Sequence, residues 1–79
     1  MASFSGEFLK RQVVDSNGDI FGSLEDLVID TNSGVLVEFL VDVIDEIDTS
    51  KLPWPVEDGL CRVPASEVSQ MGSRIHLKR

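Results

Sequence analysis

The strongest hydrophobic pattern in the chain lies in the segment VLVEFLVDVIDEID, residues 35–48. Apolar side chains occupy five consecutive odd positions: Val35, Val37, Phe39, Val41 and Val43. Because successive side chains of a strand point to opposite faces, this period of two predicts a strand with one face in the core. A helix can be drawn through Leu36, Leu40, Val43 and Ile47, but the density of β-branched residues favours extended structure.

The opposite face of this predicted strand is half apolar. It carries Leu36, Leu40 and Ile44 between the acidic residues Glu38, Asp42 and Glu46. A partner or a second copy of the chain could cover this row. Alternatively, the row points inward and is buried by the rest of the same domain or by the loop around Trp54. Pattern alone leaves both interpretations open, and Leu36, Leu40 and Ile44 are candidate interface residues.

Two turn signals flank a second apolar region. Asn17-Gly18 is typical of a two-residue type I′ hairpin turn, which needs positive φ at both positions. The apolar pairs Phe8-Leu9 and Val13-Val14 precede it, and Ile20-Phe21 follows. A second signal, DTNSG, lies at residues 30–34. This spacing predicts an antiparallel meander.

The stretch DSNGDIFGSLED, residues 15–26, also resembles a calcium-binding loop, with Asp15, Asn17 and Asp19 at the first three ligand positions. Such a loop requires glycine at position 6 and glutamate at position 12. Ile20 and Asp26 occupy those positions here. We therefore interpret the stretch as a turn and expect no bound metal.

The segment between the two turns, residues 23–30, is ambiguous. Ser23 and Asp26 resemble a helix-capping pair, but the position between two hairpin turns and the Val-Ile ending favour a strand, with Gly22 at a bulge. Further along, we predict a short strand at Leu60–Val63. The stretch VPASEVSQMG is predicted to form a turn or a single helical turn ending at Gly72.

A closing strand is predicted at Ser73–Lys78. It would place Arg74, His76 and Lys78 on one face, opposite Ile75 and Leu77. That basic row is either a small patch for an acidic partner or a solvated outer face, and the second interpretation is favoured.

The sequence Pro53-Trp54-Pro55 holds the only tryptophan of the chain in a stiff, extended backbone. It lies within the acidic loop DEIDTSKLPWPVED, residues 45–58. Trp54 either covers an open end of the domain, which is the favoured interpretation, or anchors an interface. It is the fourth candidate interface residue.

Composition narrows the functional classes. The 79 residues suffice for one domain, and 42% of them are hydrophobic. One cysteine, Cys61, and one histidine, His76, exclude an internal disulfide and a zinc cluster. Cys61 is expected to be a small core residue. No segment resembles a signal peptide or a membrane span, which predicts a soluble, cytoplasmic protein without direct membrane insertion.

Charge and side-chain inventory argue against two further classes. The formal net charge of −7 opposes nucleic-acid binding, which depends on Lys and Arg. No nucleophile–base pair and no phosphate-binding glycine loop is evident. We expect no enzymatic activity and no cofactor.

Two segments together resemble the PRC-barrel domain family: VVDSNGDIFGSLEDLVIDTNSGVLVEFLV at residues 13–41 and VPASEVSQMGSRIHL at residues 63–77. The positions that carry the resemblance are Gly18, Gly22, Asp26, Gly34, Val63, Pro64, Val68, Gly72, Ile75 and Leu77. The resemblance implies an all-β fold, a small, strongly bent antiparallel β-barrel of about five or six strands. It implies one domain over residues 1–79, with its core at about residues 9–77, and by itself implies no chemistry.

Among members of this family, the chain is most similar to the stand-alone archaeal proteins of the CdpB type. That resemblance implies a non-enzymatic adaptor in FtsZ-based archaeal cell division, recruited to the division site. It would bind the membrane anchor SepF, other PRC-barrel proteins, or both. The alternative is an RNA-processing or ribosome-assembly accessory protein similar to RimM.

Self-association is expected on two grounds. The family resemblance implies a dimer, and a domain of this length buries too little surface to be comfortably stable. The apolar row Leu36, Leu40 and Ile44 would then be covered by a second copy in a homodimer.

Overall fold

The computed structural model describes residues 10–79, and these residues form a single β-sheet. Its strands are β1 (Gln12–Val14), β2 (Ile20–Ile29), β3 (Leu36–Val43), β4 (Val56–Glu57), β5 (Leu60–Pro64), β6 (Val68–Met71) and β7 (Ile75–Leu77). Two short 3-10 segments lie at Thr49–Lys51 and Ala65–Glu67. The all-β prediction is confirmed, with seven strands in the described chain instead of five or six. No helix among these residues is long and apolar enough to cross a membrane.

The strands lie side by side in the order β4-β5-β3-β2-β1-β7-β6. All pairings in this sheet are antiparallel except that of β1 with β7, which is parallel. One apolar cluster contains side chains from β5 near one edge and from β7 near the other. The sheet must therefore curl around its own core, although no pairing closes β4 onto β6 within residues 10–79. The cluster comprises Val13, Phe21, Leu24, Phe39, Val41, Cys61, Val63, Ile75 and Leu77.

Bulges set the register of the β2–β3 pair. Leu24 lies opposite Val41 and Asp26 opposite Leu40, so Glu25 is an extra residue on β2. Further along, Val28 lies opposite Glu38 and Ile29 opposite Leu36, so the residue between Leu36 and Glu38 is extra on β3. Side chains alternate between the two faces of a strand, so an extra residue sends the side chains beyond it to the opposite face from the one that strict alternation gives. Each bulge also bends the sheet.

The β3 bulge corrects the predicted core row. Phe39 and Val41 are fully buried as predicted, and Val43 packs partly buried against the core. Val35 and Val37, however, are 59% and 44% exposed. The prediction was wrong for these two residues because Val35 precedes β3 and Val37 is the bulged residue, so strict alternation does not extend to them.

Both predicted hairpins are present, but the first has a different turn. The Gly18 N–H donates to the Asp15 carbonyl at 3.0 Å, and the Asp15 N–H donates to the Asp19 carbonyl at 2.9 Å. Gly18 has φ of 86°, whereas Asn17 is not among the residues with positive φ. The loop is therefore a three-residue connection with glycine in the left-handed conformation, and the predicted type I′ turn was wrong here.

The carboxylate of Asp15 stabilises this first loop. Its Oδ1 accepts the backbone N–H groups of Asn17 and Asp19, each at 2.9 Å. The second hairpin closes through the Asp30 N–H and the Val35 carbonyl, with Gly34 at φ of 74°. The stretch that resembles a calcium loop thus forms a turn, as predicted.

A type I′ pair does occur, at Asp58-Gly59 between β4 and β5, where φ is 54° and 80°. Asp58 was predicted to lie in a loop, although Asp-Gly is typical of this turn. Strand β6, which follows the 3-10 segment Ala65–Glu67, was not predicted.

Three predicted strands are confirmed in β2, β5 and β7. In β7, Ile75 and Leu77 are buried, which confirms their predicted face. The apolar pair Phe8-Leu9 lies outside the described residues.

Gly22 permits a close approach between β2 and β3. A Cβ atom placed on it would lie 2.3 Å from the backbone oxygen of Asp42 and 2.9 Å from a methyl carbon of Val41. Both strands would have to move apart to admit even a methyl group, because a backbone oxygen cannot rotate away as a flexible side chain does.

We predict that Gly22→Ala destabilises the fold by about 1–3 kcal/mol, the usual cost of overpacking a core. Gly72→Ala is the matched control, since a Cβ atom there meets nothing within 4 Å. That control should change the free energy of unfolding by less than about 0.5 kcal/mol. Urea denaturation of both variants measures the difference, and equal effects would contradict the close approach.

Candidate interaction surface

The outer side of strands β2, β3, β5 and β4 carries an apolar centre. Leu40 lies opposite Asp26 on β2 and Arg62 on β5, and it alternates with the inward-facing Phe39 and Val41. Leu40 shares a shallow depression with Val28 and Leu60, and all three are half-buried. These side chains therefore lie on the sheet surface that faces away from the core.

Charged residues surround this centre. We call the whole surface the acidic outer face: Val28, Leu40 and Leu60 with Asp26, Glu38, Asp42, Glu57, Asp58 and Arg62. Strand alternation places Asp42 and Glu38 on the same side of β3 as Leu40. Glu57 lies directly opposite Leu60 in the β4–β5 hairpin, and Asp58 lies in its turn.

Arg62 is the only cation of this face in the described part of the chain, and two carboxylates hold it. Its Nε and Nη2 donate to Oε1 of Glu38 at 2.9 and 2.7 Å, and its Nη1 donates to Oε1 of Glu57 at 2.9 Å. The hydrogen bonds that Arg62 donates to Glu38 and, as the smaller cause, to Glu57 raise the pKa of its guanidinium. Five carboxylates against one guanidinium leave the face strongly negative.

The structure separates the four candidate interface residues. Leu36 packs against the core beside Phe39, because the bulge at Val37 turns it inward. Leu40 lies at the centre of the acidic outer face.

The other two candidates lie elsewhere. Ile44 follows the end of β3 and lines a depression with Ile20 and Val43. Trp54 packs against the core. The expectation that Leu36, Leu40 and Ile44 share one face of a continuous strand was wrong for Leu36, because that expectation assumed a strand without a bulge.

Trp54 covers one end of the core. Its ring meets the Phe21 ring edge-on, with centroids 6.0 Å apart and planes at 87°. The Arg79 guanidinium lies 5.9 Å from the Trp54 ring centre and forms an ion pair with Glu67 at 3.1 Å. This position agrees with the favoured interpretation of Trp54 as a cover, and it keeps part of the ring at the surface.

The loop that carries Trp54 begins at a capped 3-10 turn. The Asp48 carboxylate accepts the backbone N–H of Ser50 at 3.0 Å and the Ser50 hydroxyl at 2.6 Å. These hydrogen bonds, the hydroxyl first, lower the pKa of the Asp48 carboxyl. Asp48 thus orients the chain before Pro53.

Two further sequence features are placed by the fold. Cys61 is fully buried in the core as predicted, and burial raises the pKa of its thiol, which keeps it protonated and unreactive at neutral pH. Arg74, His76 and Lys78 lie around β7, which is separated from the acidic outer face by β1 in the sheet order.

Leu40 was a candidate from the sequence alone. Val28, Leu60 and the ion pairs of Arg62 with Glu38 and Glu57 were not predicted. Val28 and Leu60 become neighbours of Leu40 only through strand pairing, which periodicity along one strand does not reveal. The Asp58-Gly59 turn was the available signal, since a two-residue turn there pairs Glu57 with Leu60.

The two leucines of β3 should respond differently to a charge. Leu36→Asp places a carboxylate against the core and should destabilise the fold by more than about 2 kcal/mol. Leu40→Asp places it in an exposed depression and should cost less than about 1 kcal/mol. Thermal and urea denaturation of both variants provide the comparison, and an unfolded Leu40→Asp variant would assign Leu40 to the core.

The sequence profile of the PRC-barrel domain matches residues 2–78 of the chain. The search of curated proteins found no match to the chain.

Proposed function

Because the chain belongs to the PRC-barrel domain family, whose domains mediate protein–protein interactions and are typically non-catalytic, we propose that it is a non-enzymatic adaptor. The acidic outer face is its docking surface for another protein. The observation that carries this proposal is the placement of Leu40, with Val28 and Leu60, on the outside of a sheet whose inside is already filled.

Exposing this apolar centre to water is energetically unfavourable. A single curled sheet covers one of its faces with its own core and leaves the other face to solvent. Most outward positions of such a sheet are polar, yet these three are large and apolar. An apolar centre with a charged rim is the usual arrangement of a protein interface.

The support for a cellular setting is the sequence resemblance to stand-alone archaeal proteins of the CdpB type. We propose that the adaptor acts in FtsZ-based cell division at the division site. Its partner there is a membrane anchor of the SepF type, another PRC-barrel protein, or both. The adaptor contributes recognition and no chemistry, and it needs no cofactor.

A homodimer is part of this proposal, but the acidic outer face is poorly suited to it. Two copies of the same face would bring like charges together. The surface around Trp54 is better suited, because Ile47 and Leu52 lie beside the ring and its lining contains one acidic residue, Asp15, and one basic residue, Arg79. Trp54 is therefore the candidate contact between copies, and Leu40 the candidate contact with the partner.

The second candidate function is ribosome assembly in the manner of RimM. The negative charge of the outer face favours it, because ribosomal proteins are commonly basic and a strongly acidic domain attracts them. In this alternative the same face binds a ribosomal protein instead of a division protein.

Capture of partners from the producing cells distinguishes the two functions. Tagged wild-type protein should retain division proteins, whereas the ribosome-assembly alternative predicts small or large ribosomal subunits. Leu40→Asp, checked for folding by circular dichroism, should lose the partner in either case. Retention of the same partner by the folded Leu40→Asp variant would contradict the assignment of the docking surface.

Sedimentation tests the homodimer separately. The wild type should sediment as a dimer at micromolar concentration, and Leu40→Asp should remain dimeric. A folded Trp54→Ser variant should dissociate. A monomeric wild type would refute self-association. If Leu40→Asp dissociates and Trp54→Ser does not, the contact between copies lies at the acidic outer face.

A further inference from the structure

We infer that the partner's contact segment is positively charged and carries apolar side chains, and that the acidic outer face selects it by both features. This inference rests on the proposed adaptor function and adds the chemical class of the partner. It follows from four properties of the face: the exposure of its carboxylates, the pairing of its one described cation, the short sheet edge beside it, and its apolar centre.

Four of the five carboxylates of the acidic outer face are exposed to solvent. Asp26, Asp42, Glu57 and Asp58 are all exposed, whereas Glu38 is half-buried and already paired with Arg62. Asp26, Asp42 and Asp58 form no ion pair with any residue of the described chain. They are therefore available to cations that a partner brings.

Arg62 is not available to bind an acidic group of a partner. Its guanidinium uses Nε, Nη1 and Nη2 on Glu38 and Glu57, so it is held within the face. An acidic partner would meet unpaired carboxylates and would find no free cation in exchange. A second copy of the chain would present the same excess of negative charge, which disfavours a symmetric contact through this face.

The adjacent sheet edge cannot replace side-chain recognition. Strand addition works through a row of free backbone groups on an edge strand. Here β4 has only two residues, and Pro55 before it has no N–H to donate. Specificity must then come from side chains that cover Leu40 and reach the rim.

The apolar centre of the face explains why the partner segment must also carry apolar side chains. Charge alone would attract any cation, with an affinity that falls steeply with ionic strength. Covering Val28, Leu40 and Leu60 adds burial of apolar area, which salt does not screen. A segment with both features should thus bind more tightly than one with charge alone.

Peptide titration followed by NMR tests this inference on the full chain. Three decapeptides serve as probes: alternating lysine and valine, alternating lysine and serine, and alternating glutamate and valine. The lysine–valine peptide should bind at least about tenfold more tightly than the other two. The largest amide shifts should fall on Leu40, Leu60 and Arg62.

Matched charge variants identify the face. The triple variant Asp26→Asn, Asp42→Asn, Asp58→Asn should weaken binding of the lysine–valine peptide by about tenfold. The control Asp19→Asn, Asp45→Asn, Glu46→Gln removes the same charge from other exposed positions and should change affinity less than about twofold. Equal weakening by the two variants, or equal binding of the lysine–serine peptide, would overturn the inference.

The outcomes separate this inference from the proposed function. If the wild type captures a partner that Leu40→Asp loses, but the acidic triple variant keeps it fully, the adaptor function stands and the basic character of the partner is wrong. If the peptide binds as expected but no partner is lost on Leu40→Asp, the chemistry of the face stands and the adaptor function fails.

Discussion

The structure depends on one constraint: a single layer of short strands must enclose its own apolar core. Unpaired extra residues on β2, β3 and β6 bend the sheet so that β5 and β7 contribute to the same cluster. Gly22 lets β2 and β3 approach closely where this bending occurs. The inner face of the sheet is buried in the core. The outer face is therefore the only broad surface that β2, β3 and β5 expose.

The two sides of β3 consequently have different roles. Phe39 and Val41 stabilise the fold by burial, whereas Leu40 lies outside among carboxylates. The ion pairs of Arg62 with the half-buried Glu38 and the exposed Glu57 lie on the outer surface, where such pairs add modestly to stability, and they order the charged residues around Leu40. A surface of this kind suits a member of a family whose domains mediate protein interactions and are typically non-catalytic.

Local patterns were sufficient for part of this account. The glycines at both hairpins and the alternation in β7 depend on neighbouring residues, and they were predicted correctly. Val35, Val37 and Leu36 were misplaced because a bulge arises from the curvature of the whole sheet and leaves no mark on the period of the strand. Val28 and Leu60 were missed for a related reason, since cross-strand neighbours require a known register. The Asp58-Gly59 turn was visible in the sequence and was overlooked.

The bulge in β3 turns Leu36 inward and leaves Leu40 outward. Methyl nuclear Overhauser effects measured on the isolated protein distinguish these two orientations. We expect contacts from the Leu36 methyls to the Phe39 ring and Val68, and from the Leu40 methyls to Val28 and Leu60. Contacts from both leucines to the Phe39 side of the sheet would contradict these orientations, as would contacts from both to the side of Val28.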